Sequence, residues 1–188
     1  MDRDNGLNWP TVCRRSVLSG LTATAFLALP MVRVAPAAMP ERRLRFFNIH
    51  TGERVEAVYH DTGGRVPEAL AEINHVLRDW RTSEVAAIDP TLLDFLHVVK
   101  TKLATDAEFH VISGYRSPKT NAKLASKSNA VAKKSLHMQG RAIDVAIPGF
   151  SVAEVSEVAL SLKLGGVGSY SKSGFVHLDT GRFRRWGS

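Results

Sequence analysis

The sequence predicts an α+β fold, with an N-terminal hairpin and helices packed on a small antiparallel sheet. Three observations lead there. Apolar residues alternate with polar ones over residues 43–59 and again in short runs after residue 109, the period-two mark of half-buried strands. Two stretches between these runs carry apolar residues at helical spacing. The helices come mostly before the later strands and do not alternate with them, which argues against a βαβ sheet.

The elements follow in order. Leu44 and Phe46, then Val55, Ala57 and Tyr59, alternate on either side of Thr51-Gly52, so residues 43–59 are expected to form two strands around a turn. Leu70, Ile73, Val76, Leu77 and Trp80 share one helical face, which predicts a helix over residues 67–80. Asp89-Pro90 is an N-cap residue followed by proline at the first helical position, and a second helix continues through Leu92, Leu96, Val99 and Leu103. Residues 109–112 read as a strand, residues 119–126 as a short helix, and residues 142–147 as a strand stopped by Pro148-Gly149. Ser151-Val152-Ala153-Glu154 is a capping-box pattern opening a helix to about residue 162. A last pair of strands is expected around residues 167–170 and 174–179.

The first 37 residues stand apart from this domain. Arg14-Arg15 directly precede an apolar run over residues 17–32, and Ala35-Pro36-Ala37 supplies small residues of the kind a signal peptidase reads. Cys13-Arg14-Arg15-Ser16-Val17-Leu18 resembles a twin-arginine export signal. The run is short and diluted by Gly, Thr and Pro, against the ~20 apolar residues that span a bilayer; the other reading is an uncleaved anchor, the only membrane association expected. Residues 1–37 are thus expected to be an export signal and residues 38–188 a single domain in the periplasm or cell envelope.

Composition narrows the chemistry. The chain has 25 Lys and Arg against 18 Asp and Glu, seven His and one Cys. One cysteine excludes an intramolecular disulfide framework and a Cys-rich zinc finger, so any metal must be held by His and carboxylate. Cleavage after Ala37 would leave 21 basic and 16 acidic residues and no cysteine. The positive charge suits an anionic partner, whether nucleic acid, phospholipid or cell-wall polymer. Lys119, Lys123, Lys127, Lys133 and Lys134 lie together without interleaved aromatics, which disfavours single-stranded nucleic acid. They read either as a solvated loop face or as an attractor of anionic wall polymer.

Three segments carry the candidate chemistry: Ser113-Gly114-Tyr115-Arg116-Ser117, Ser135 through Asp144, and Phe175-Val176-His177-Leu178-Asp179. Gly140 permits a tight turn between His137 and the strand that bears Asp144. Asp144 stands among Ala142, Ile143, Val145 and Ala146, where an unpaired carboxylate is costly. Its partner is either a divalent cation or a basic side chain. With His177, the pair would make a three-ligand site with an open fourth position, as in catalytic zinc centres. His50, His60, His75, His97 and His110 read as structural or exposed.

Ser-x-His-x-x-Gly-x-Ala-x-Asp, here Ser135 to Asp144, followed by Phe-Val-His-Leu-Asp, resembles the M15 family of zinc peptidases that cut peptidoglycan, in particular its murein endopeptidase K branch. Ile112-Ser113-Gly114-Tyr115-Arg116-Ser117, Gly165-Gly166-Val167-Gly168 and Thr180-Gly181 match the same branch, so the similarity covers nearly all of residues 41–188. The resemblance implies an M15/hedgehog-like sheet carrying one Zn2+ per chain, with His137, Asp144 and His177 as ligands and Arg116 holding a substrate oxygen. It implies a murein endopeptidase acting on peptide cross-links of peptidoglycan, with no nucleic-acid partner. One pattern is absent: Gly174 and Phe175 stand where family members carry Glu or His as the general base. Asp179 shares a strand face with His177 and is the nearest carboxylate, either as base or as the group that orients His177. Ser113 and Ser135 are expected to support the site or to satisfy turns. The missing base leaves a non-catalytic wall-binding module with a structural metal as the other reading, and a D,D- or L,D-carboxypeptidase as another enzymatic one.

Overall fold

Alternation builds the first hairpin. In β1 (Arg42–Asn48) Leu44 and Phe46 are buried, and in β2 (Arg54–Asp61) Ala57 and Tyr59 are buried. The two strands pair antiparallel, and the short β3 (Gly64–Arg65) extends the edge beyond β2. The computed structural model describes residues 41–128 and 131–187, so the expected export signal lies outside the described residues.

Helix α1 (Pro67–Val76) and helix α2 (Pro90–Lys102) both start with proline in the first turn. The Asp89 side chain accepts the Thr91 N–H, so the expected cap is in place. Helix α1 ends before the expected residue 80. The Leu77 carbonyl instead accepts the Tyr115 N–H at 2.7 Å, and buried Asp79 accepts the Ser117 N–H at 2.9 Å. The end of α1 thereby anchors the loop that carries Arg116.

Strands β4 (Phe109–Ser113), β5 (Ala142–Ala146), β6 (Gly166–Tyr170) and β7 (Phe175–Asp179) lie where alternation predicts them. Helix α3 (Pro118–Ala125) is capped by Ser117, and α4 (Val152–Leu162) has the complete Ser151/Glu154 capping box. A 3-10 turn over Leu136–Gln139 and a last strand, β8 (Arg184–Gly187), are additions to the expected list.

The α+β class holds, and the sheet is larger and more mixed than expected. Its eight strands run in the order β3-β2-β1-β4-β5-β7-β6-β8. The β1–β4 and β6–β8 pairs are parallel and the others antiparallel. The first parallel pair is possible because β2, β3, α1 and α2 lie between β1 and β4 in the chain, a connection long enough to return the strand in the same direction. Helices α1, α2 and α4 pack on the sheet over a core that includes Phe46, Ile73, Leu92, Phe95, Leu96, Val145, Val155 and Leu178. Among the described residues, no helix is long and apolar enough to cross a membrane.

Alternation also decides what faces away from the core. Ile143, Val145, Val176 and Leu178 enter it, so Asp144 and His177 between them point to the other face. Strand register sets Ser113, Asp144, His177, Gly168 and Trp186 in one row across β4, β5, β7, β6 and β8.

Candidate metal centre

His137, Asp144 and His177 converge from a turn and two strands. The Ser135 hydroxyl accepts the His137 N–H and starts the 3-10 turn; Gly140 closes it at φ +65°. A β-carbon at Gly140 would lie 2.1 Å from the Ala87 carbonyl oxygen, so both backbone angle and space require glycine there. The turn brings His137 over β5, and the β5–β7 register sets Asp144 opposite His177.

His137 Nε2 lies 3.2 Å from His177 Nδ1 and 3.4 Å from Asp144 Oδ2, and His177 Nδ1 lies 2.8 Å from Asp144 Oδ1. Among the described residues this is the one group of three His, Cys or carboxylate side chains whose ligand atoms so converge. The donor set fits a divalent cation. Tetrahedral ligands at about 2.0–2.1 Å from zinc stand about 3.3 Å apart, close to these separations. Each imidazole is also held through its other nitrogen. His137 Nδ1 is 2.8 Å from the Gly114 carbonyl oxygen, and His177 Nε2 is 3.0 Å from Asp179 Oδ2. Such supports fix ring orientation at metal sites.

Burial by itself would raise the Asp144 pKa, but His137 nearby and hydrogen bonds from both imidazoles outweigh it and hold the carboxyl well below the usual range. Burial opposes protonation of His177, yet hydrogen bonds to Asp144 and Asp179 prevail and raise its pKa. Asp179 is fully buried; its pKa is lowered because bonds from His177, Arg184 and the Gly181 N–H overcome the effect of burial.

Arg116 reaches the cluster from the loop after β4. Its Nη2 is 3.5 Å from Asp144 Oδ2 and 3.2 Å from Ser113 Oγ, and its Nη1 is 3.5 Å from Asn121 Oδ1. Its buried Nε has no partner among the described residues. Desolvation lowers its pKa, with Asp144 opposing the shift. The site opens into a cavity of about 570 Å³ lined in part by Arg116, Lys134, Tyr170, Phe175 and Trp186.

A family profile described as peptidoglycan L,D-endopeptidase MepK matches residues 36–186. The chain belongs to this family. The peptidoglycan L,D-endopeptidase MepK of Escherichia coli (strain K12) is 42% identical over 175 residues, 92% of this chain and 96% of its own length. The protein of the same name from Shigella flexneri has the same identity and coverage. The probable peptidoglycan L,D-endopeptidase MepK of Haemophilus influenzae (strain Rd) is 39% identical over 183 residues, 96% of this chain and 98% of its own.

In this MepK-family chain His137, Asp144 and His177, singled out from sequence, come together, with Arg116 beside them. Ser135 serves the turn, whereas Ser113 touches Arg116. Asp179 does not join the cluster; it sits against the far nitrogen of His177, behind the ring. The other five histidines lie outside the cluster. Sequence reasoning missed Tyr170, Arg184 and Trp186. The last two are spaced like His177 and Asp179, two residues apart on one strand face, but nothing local marks residues 184–187 as a strand.

Proposed function

We propose that the chain is an exported, zinc-dependent endopeptidase that hydrolyses peptide cross-links of peptidoglycan, the L,D bond being the one its relatives' name specifies. The carrying observation is the convergence of His137, Asp144 and His177 in the lining of a cleft, with Arg116 beside them. Zinc bound by these three side chains would supply Lewis-acid polarisation of the scissile carbonyl and an activated water.

The protein's own groups do the rest. Gly114 O and Asp179 hold the two imidazoles so that one nitrogen of each faces the cluster. Arg116 is loosely tethered, at 3.2–3.5 Å, and is the cation beside Asp144 that can meet a substrate oxygen or charge developing on it. Tyr170, Phe175 and Trp186 give the cleft an aromatic wall. Asp179 acts as the orienting group for His177 and not as a general base, because its oxygens already meet His177, Arg184 and two backbone N–H groups. Residues 1–37 act as the export signal and residues 38–188 as the peptidase, with one Zn2+ per chain.

Mass spectrometry of cross-linked muropeptides incubated with the purified protein tests this reading. New peptide ends are expected, abolished by a chelator and by His137→Ala, Asp144→Ala or His177→Ala, each with loss of bound zinc. Pelleting with sacculi and no new ends would instead establish the wall-binding module, the reading favoured by the lack of Glu at position 174 and of His at position 175. Loss of a single terminal residue would establish a carboxypeptidase.

A further inference from the structure

Strand β8 reaches the metal centre over the top of its neighbour. Strand β6 separates β8 from β7, yet Arg184 and Trp186 of β8 touch Asp179 and His177 of β7. Two glycines make this possible. Gly166 lies in register between Asp179 and Arg184, and Gly168 between His177 and Trp186. A β-carbon at Gly166 would come within 2.4 Å of Arg184 Nη1 and 2.6 Å of Asp179 Oδ2. One at Gly168 would come within 2.7 Å of the Trp186 ring. The Gly165-Gly166-Val167-Gly168 run therefore leaves a bare strip on the site face of β6, across which the β8 side chains lie.

Those side chains end on the support of a candidate ligand. Arg184 grips Asp179 with two bonds, Nη2 to Oδ2 at 2.7 Å and Nη1 to Oδ1 at 3.0 Å. Gly166 N–H and Gly181 N–H complete the hold on Oδ1 at 3.3 and 2.8 Å. Oδ2 then meets His177 Nε2 at 3.0 Å. The Trp186 ring lies 5.1 Å from the His177 ring, with the Arg184 guanidinium 4.7 Å over its face and its Nε1 donating to the Tyr170 hydroxyl at 2.9 Å. A forked guanidinium fixes a carboxylate in both position and rotation, which an ammonium cannot do.

We infer that Arg184 is a positioning residue for the metal centre: by locking Asp179 across the glycine strip, it sets the His177 ring so that Nδ1 faces His137 and Asp144. This rests on the proposed zinc reading and adds to it a distant strand on which metal affinity depends. Outer supports of metal-bound histidines commonly contribute about 10–100-fold in affinity.

The test is zinc affinity of the purified chain, read by competition with a chromophoric chelator, for wild type, Arg184→Lys, Arg184→Met, Asp179→Asn and the Asp179→Asn/Arg184→Met double variant. Arg184→Met is expected to weaken zinc binding at least tenfold and Arg184→Lys to restore only part of it. The double variant should bind zinc about as Asp179→Asn alone, since Arg184 acts through that carboxylate. The double variant also removes the buried charge that Arg184→Met leaves unpaired, so the comparison survives if the single variant fails to fold. Wild-type affinity in Arg184→Met, or a further tenfold loss on adding Arg184→Met to Asp179→Asn, overturns the inference. A lower melting temperature with unchanged zinc affinity also overturns it, reducing the pair to a structural ion pair. If wild type itself binds no zinc, the zinc reading fails, and that outcome is distinct from a wild type that binds zinc beside variants that match it.

Discussion

Gly140 decides where His137 points. Its φ of +65° and the 2.1 Å approach of any β-carbon to the Ala87 carbonyl make it the one residue type that closes the turn without displacing residues 87–88. Gly140→Ala is expected to cost about 1–3 kcal/mol of stability, seen as a lower urea midpoint. It should also weaken zinc binding, because the His137 ring rides on the same turn; unchanged zinc affinity would show that the turn relaxes without moving the ring. This constraint was legible in the sequence, since His137, Gly140 and Asp144 fall within eight residues. Arg184 was not, because its partner lies on a strand that is not adjacent to its own.

At the scale of elements, one carboxylate ties the N-terminal hairpin to α2. Asp94 accepts from Arg42 of β1 at 2.7 Å, from Tyr59 of β2 at 3.0 Å and from Arg65 of β3. Burial would raise its pKa, but the hydrogen bonds from Arg65, Arg42 and Tyr59 prevail and lower it. A lowered folded-state value means the stabilisation is complete above the unfolded-state pKa of about 4 and is lost as pH falls through the folded value. Urea unfolding of wild type and Asp94→Asn should therefore differ at pH 7 and converge as pH is taken from about 4 to 2. A gap that persists undiminished at pH 2 would rule out an origin in the Asp94 charge. The hairpin and α2 were both legible from periodicity, but their junction was not. The junction joins residues 29 to 52 positions apart that carry no shared pattern.

For the molecule as a whole, the excess charge has one address. Residues 109–143 contain seven Lys and Arg and no Asp or Glu, and removing these seven leaves 18 basic against 18 acidic residues. Arg116 and Arg141 have carboxylate partners. Lys119, Lys123, Lys127, Lys133 and Lys134 are exposed and form no ion pair among the described residues, and Lys134 lines the cleft. With an anionic wall polymer as substrate, this field would speed approach to the cleft and be screened by salt, the Debye length being about 10 Å at 0.1 M. Raising ionic strength should lower kcat/KM on sacculi. Replacing Lys119, Lys123 and Lys127 by Gln should flatten that dependence with kcat unchanged. An equally steep salt dependence in the triple variant would assign the lysines to a merely solvated face.

The sequence by itself determined the α+β class, most of the elements, the family, and the segments that hold His137, Asp144 and His177. These depend on periodicity and on motifs a few residues long, where chain connectivity keeps the participants close. The tertiary structure decided what joins across the sheet: the parallel pairing of β1 with β4 and of β6 with β8, the row from Ser113 to Trp186, and the latch of Arg184 on Asp179. Strand order and register depend on which faces can be buried together, and no local pattern encodes that choice. The glycines of β6 could be seen in the sequence, but their purpose, to let one strand's side chains cross another, became visible only once β8 was in its position beside them.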